Sequence, residues 1–170
     1  MADAAQDEMV YKLELLDDFR AWLRRRYPLS VKGYRLNLVT GTDDTLYYHE
    51  HPEVRGENCY GMCVRHKNRK GSTIFVAAGL QAPALMHIYA HEYRHAMQDC
   101  AGLWEKRSAP ALENDAHVWG RARFAEYYAE HFAKPEQRAD LLPVVVEDLE
   151  EWLLDYECFL KYNKSRPLNL

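Results

Sequence analysis

Apolar residues recur at helical spacing over residues 8–26, where Leu15, Leu16, Phe19, Trp22 and Leu23 mark one face. Pro28 ends this helix, because the residue before a proline is driven out of helical conformation. The period then changes. Residues 34–40 alternate, with Tyr34, Leu36 and Leu38 on one side and Arg35 and Asn37 on the other, which predicts a half-buried strand. Residues 41–44 carry turn chemistry, residues 45–49 read as a second strand and residues 58–66 as a third. A turn at 68–71 leads into Thr73-Ile74-Phe75-Val76-Ala77-Ala78, which is apolar on both faces, as expected of a strand covered by helices.

The remainder is predicted to be helical. Pro83 suits the first turn of a helix, where its missing N–H is not needed, and Gly102 is a stop. Between them Leu85, Ile88, Tyr89, Ala96 and Met97 form an apolar flank. After a loop at 104–110, residues 112–131 show a stripe through Ala116, Trp119, Ala122 and Tyr127. Pro135 starts a further segment, Pro143 breaks it, and residues 144–162 form a long helix carrying Trp152, Leu153, Tyr156, Phe159 and Leu160. The order of helix, strands and further helices predicts one α+β domain over residues 1–170, with a small, mainly antiparallel sheet. A chain of this length buries about 70% of its unfolded surface without covalent staples.

Charge and composition narrow the function. The net charge of −4 and a pI near 6.1 give no basic field to attract nucleic acid or an anionic membrane. Arg24-Arg25-Arg26 ends the first helix, where cations complement the helix dipole. No run of apolar residues is long enough to span a membrane. The first seven residues lack the basic and apolar regions of a secretory signal, and four cysteines are too few for a disulfide framework. Free thiols in a reducing, cytoplasmic setting are therefore expected. Cys59 and Cys63, with His66, have the wrong spacing for a zinc knuckle and read as small core residues flanking Gly61, while Cys100 and Cys158 read as buried thiols. The Pro-Cys-x-x-Cys partner of zinc deaminases and a Gly-rich phosphate loop are both missing.

The candidate chemistry lies in His91-Glu92-Tyr93-Arg94-His95. Residues four apart share a helix face, so both imidazoles can address one ion, while Glu92 projects nearby, outside the chelate. This is the H-E-x-x-H pattern of zinc metallopeptidases, in which the glutamate acts on a water activated by the metal. Catalytic zinc takes three protein ligands. The next predicted helix offers Glu113, placed after a stretch long enough for one helix to end and a second to return. His117, one turn later on the same face, is the competing ligand, and Asp115 points to a different side.

With Glu113-Asn114-Asp115-Ala116 following His-Glu-Tyr-Arg-His-Ala-Met-Gln, residues 72–131 resemble the zincin metallopeptidases of the gluzincin type, in which a glutamate in E-x-x-A on the next helix completes the site. The small layout is similar to the single-domain ImmA/IrrE and SprT-like groups. No x-x-G-x-x-H continuation follows His95, unlike the metzincins, and the second domain of larger gluzincins is missing. The resemblance implies a zincin-like fold, zinc held by His91, His95 and Glu113, and hydrolysis of a protein or peptide with Glu92 as general base. It also implies a second electrophile for the oxyanion, for which Tyr89, Tyr93, His117, Arg121, Tyr127 and Tyr128 are candidates and His117 or Tyr127 is preferred. In this family an extended substrate pairs along a sheet edge, and residues 73–78 are the expected neighbour.

Three further residues frame the motif. Gln98 is placed to support a ligand, Arg94 to face away and pair with a carboxylate, and His87 to be a satisfied helix histidine. The alternative function is a non-catalytic zincin-fold protein that binds or regulates a partner. An intact Glu92 argues against it, because a purely structural site has no use for that residue.

Overall fold

The computed structural model describes residues 2–41 and 60–163, with side chains from 4 to 154. The order is α1 (Ala2–Arg26), β1 (Arg35–Gly41), β2 (Gly61–Arg65), β3 (Gly71–Ala77), α2 (Ala82–Cys100), α3 (Ala109–His131), a 3-10 turn (Pro135–Arg138) and α4 (Pro143–Asn163). It is an α+β chain, and the strand expected at 45–49 lies outside the described residues. No described helix is long and apolar enough to cross a membrane.

Helix α1 starts earlier than its apolar period, because residues 4–7 are exposed and favour helix without being amphipathic. All five residues of its expected face are buried, and Phe19 sits between Trp22 and Tyr127, with ring centroids 5.9 and 4.9 Å away. Arg26 at its end reaches Glu130 at 2.7 Å, and Arg24 donates to the Leu36 carbonyl at 3.2 Å, so the arginine run ties the helix to its neighbours.

The sheet is mixed rather than mainly antiparallel. Its order is β1-β3-β2, with β1 parallel and β2 antiparallel to β3. The strand richest in apolar residues takes the centre, where both of its edges are hydrogen-bonded and most of its side chains are buried. That insertion separates β1 from β2. The covering is one-sided: Ser72, Ile74 and Val76 are fully buried, whereas Thr73 and Phe75, on the other face, are half-buried. The expected cover on both faces of this strand is therefore only partial.

Helix α2 is the hub, touching α1, α3, α4, β2 and β3. Pro83 lies in its first turn, and Gly102 follows its end with a φ of 64°, a left-handed conformation that suits glycine. Helix α3 folds back along it. The buried stripe of α3 runs through Leu112, Ala116, Gly120, Phe124 and Tyr127, so Ala122 and Trp119 lie at its margin, half-buried, rather than within it. In α4, Trp152 and Leu153 pack against the core, with the Trp152 ring 4.1 Å from that of Phe124; the side chains of Tyr156, Phe159 and Leu160 are outside the described residues.

Candidate metal centre

The middle of α2 and the first turns of α3 bring His91, His95 and Glu113 together, with one potential ligand atom from each, all within 4.8 Å of one another. The two histidine Nε2 atoms are 3.1 Å apart, and each is 3.2 Å from an oxygen of Glu113. Gly120 sets this geometry. A Cβ there would fall 2.9 Å from the His91 backbone nitrogen, so only glycine lets α3 lie this close to the helix that carries the histidines.

The orientation of His95 follows from a chain of hydrogen bonds. The Gln98 amide nitrogen donates to the Leu112 carbonyl at 2.9 Å and to Asp115 Oδ2 at 2.8 Å. Both donors are thereby spent on acceptors, so Oε1 faces His95 Nδ1 at 2.8 Å and accepts a hydrogen bond from its N–H. His95 Nε2 is left with a lone pair directed at His91 and Glu113. A lone pair and a carboxylate converging at this distance need a cation or a proton between them. Two imidazole nitrogens and one carboxylate are a donor set that suits zinc, and the residues fit it.

Asp115 belongs to the support. Arg94 Nε donates to it at 2.8 Å, and the hydrogen bonds from Arg94 and Gln98 outweigh burial to hold its carboxyl below the ordinary value. On the other side of His95, the Trp104 indole donates to the His95 carbonyl at 3.1 Å. Supporting contacts of this kind fix ligand rings and their basicity.

Glu92 is 6% exposed and lines the same cleft as the two histidines. Burial, reinforced by the charge of Glu113 and opposed by a backbone hydrogen bond from Cys63, pushes its carboxyl up to about 8. Gly61 on β2 makes room for it. A Cβ at that position would overlap Ile88 Cγ2 and fall 2.9 Å from Glu92 Oε1, so glycine lets the strand pass this close to α2.

The cleft measures about 940 Å3. His87, His117 and Arg121 line one part of it, and Tyr60, Met62 and Trp104 another. His117 is exposed; its ring lies 5.3 Å from that of His87 and 6.5 Å from that of His91, beside the ligand cluster rather than in it. Of the two rival third ligands, Glu113 is the one brought to the histidines. His87 is not the satisfied helix histidine expected: it is buried, and its Nδ1 has no hydrogen-bond partner among the described residues. Burial, with the nearby His117, Arg121 and His91, lowers it to about 3, so it is neutral. Burial, followed by the neighbouring His95, likewise lowers His91, to about 4, leaving it free to act as a ligand.

The oxyanion candidates separate cleanly. His117 and Arg121 line the cleft, whereas Tyr89, Tyr93, Tyr127 and Tyr128 are buried in the hydrophobic core. Tyr127 packs on Phe19, Trp22 and His131, which removes it from the preferred pair. The strand beside the site is also corrected. The cleft is lined by Gly61, Met62 and Cys63 of β2, one of the two edge strands of the described sheet, while β3 is paired on both sides. Cys63 is half-buried with its thiol pushed up to about 12 by burial and by Glu92, and Cys100 is half-buried rather than buried; Cys59 and the Cys158 side chain lie outside the described residues.

Tyr60, Gly61, Trp104 and Gly120 are site residues that sequence reasoning passes over. A glycine inside a helix, as at Gly120, was the available signal, since it costs stability unless a close approach requires it. No family model, curated protein or solved structure matches the chain.

Proposed function

We propose that this chain is a zincin-like, zinc-dependent metallopeptidase acting on a protein or peptide substrate in the cytoplasm. One observation carries the reading: His91, His95 and Glu113 converge on a single point in an open cleft, with the buried Glu92 carboxylate beside them. Bound zinc supplies a Lewis acid that activates water and polarises the scissile carbonyl. Glu92 accepts the proton of the attacking water and delivers it to the leaving amine. Its raised affinity for protons suits both halves of that transfer. His117 and Arg121 are in position to donate to the oxyanion as it develops. Gln98 holds the His95 ring and the nearby Asp115 in one arrangement, so the ligand geometry is formed in advance. The cleft volume suits a peptide side chain and its flanking backbone, and the edge strand β2 offers backbone groups to an extended substrate.

Metal analysis of the purified protein tests this directly. The expected result is one equivalent of zinc in the parent and in His117→Ala, lost in Glu113→Ala and His95→Ala. A parent without metal whose folding ignores chelator would overturn the reading and favour a non-catalytic binding protein.

A further inference from the structure

A second cavity, of about 560 Å3, lies at the far end of β2, where the β2–β3 turn meets the end of α2. Its character is the opposite of the chain's net charge of −4. Arg65, His66, Lys67, Arg69 and Lys70 line it from the turn. The two carboxylates on its wall are already engaged: Arg65 pairs with Asp99 at 2.5 Å and with Glu105 at 2.9 Å. Lys67, Arg69 and Lys70 are exposed and form no ion pair among the described residues. Lys32 and Arg35 are exposed nearby in sequence to Tyr34, which also lines the cavity.

The two cavities share a wall. Arg65 lies over the Trp104 ring at 4.9 Å, Trp104 facing the metal cleft and Arg65 the basic cavity. Strand β2 runs from one to the other, with Gly61 beside Glu92 at one end and Arg65 at the other. An extended chain following this strand would travel about 20 Å from Gly61 to Lys67.

We propose that the basic end of the sheet docks an acidic segment of the polypeptide substrate, so that the enzyme selects chains carrying Asp and Glu several residues from the bond it cuts. This rests on the peptidase reading above. A polypeptide fits better than a nucleic acid. The net charge of −4 gives the rest of the chain no positive field for a continuous phosphate backbone to follow beyond this patch. The strand that leads there also presents peptide groups, which pair with another peptide.

The test uses the full-length, zinc-loaded Glu92→Gln protein and fluorescence anisotropy. The probes are a labelled peptide with Glu residues at one end, the same peptide with Gln in their place, and a single-stranded oligonucleotide of similar length. The acidic peptide is expected to bind at least about tenfold more tightly than the neutral one, and less so as salt rises. Lys67→Glu/Lys70→Glu should erase that difference. Lys67→Gln/Lys70→Gln should reduce it, which guards against misfolding of the charge-reversed variant. Equal binding of the two peptides, or a preference that survives both double variants, overturns the proposal. So does an oligonucleotide that binds more tightly than the acidic peptide and is lost in the same variants. A parent that docks the acidic peptide but cuts no peptide removes the peptidase reading and leaves the docking surface standing.

Discussion

The two faces of α2 do opposite things. One buries Leu85, Met86, Tyr89, Ala90, Tyr93 and Ala96 against α1, the sheet and α4. The other carries His87, His91, Glu92, His95 and Gln98 toward the cleft and α3. Burial of the first face is favourable at roughly 25 cal/mol per Å2 of apolar surface. Burial of the second is unfavourable: Glu92 and His87 are pushed towards their neutral forms, and His87 leaves a ring nitrogen without a partner among the described residues. The surplus from the apolar face offsets that cost. A helix that serves as both core and site can therefore be altered on one side without the other, and the difference between the sides can be measured.

The largest separation should come from Leu85→Ala set against Glu92→Gln. Leu85 is fully buried on the apolar face of α2, and truncating it should cost about 2–5 kcal/mol in chemical denaturation without changing the bound zinc. Glu92→Gln replaces a carboxyl that burial already disfavours, so in chelator its melting temperature should stay level or rise. Peptide hydrolysis should fall by about 10²–10⁴-fold. If Glu92→Gln destabilises as much as Leu85→Ala, the division between the faces is wrong.

Gly120→Ala is expected to cross the division, because it acts on the packing of α3 and on the metal centre at once. The added methyl group would collide with the His91 backbone and push α3 away, costing about 1–3 kcal/mol and weakening zinc binding in the same variant. Gln98→Leu should act more narrowly. It removes the group that fixes the His95 tautomer, and competition with a chromophoric chelator should show zinc affinity down by about 10–100-fold.

The smallest effect is a pH dependence. His87 has its folded value lowered to about 3, below its ordinary 6.5, so the unfolded chain binds more protons in that window. Its contribution is present above pH 6.5 and is lost as the pH falls towards 3. The groups facing it are His117, Arg121 and His91. Denaturation of the metal-free protein across this range should show a shallower slope for His87→Leu than for the parent. Equal slopes would assign the acid sensitivity to other groups.

The apolar face of α2 was legible in the sequence because period, Pro83 and Gly102 agreed, and the motif was legible because its spacing is the geometry of one helical turn. The third ligand stayed open between Glu113 and His117, which share a face of α3. The choice between them is made by how far α3 is drawn along α2, and that depends on the contact of Gly120 with the backbone of His91, a residue of the other helix and distant in sequence. Strand order was out of reach for a related reason. The alternation of residues 34–40 identifies a strand and its faces, yet not which neighbour it pairs with, and the parallel pairing of β1 with β3 brings together segments separated by β2. Tyr60 and Trp104 have no local pattern that marks them as cleft residues, since each acquires its position from the packing of β2 and the loop after α2.

Trp104 also gives the site an optical readout. Its indole ring lies 6.3 Å from that of His95, it donates to the backbone of that residue, and it forms part of the wall against which a substrate would lie. Among the described tryptophans, Trp22 is buried in the core and Trp119 and Trp152 pack against it, so Trp104 is the indole that borders the cleft. Loading the centre with cobalt or copper, whose unpaired electrons quench a nearby excited indole, should dim the emission of this one residue, whereas zinc should leave it bright. Occupancy of the centre can then be followed in real time by intrinsic fluorescence, with no label attached.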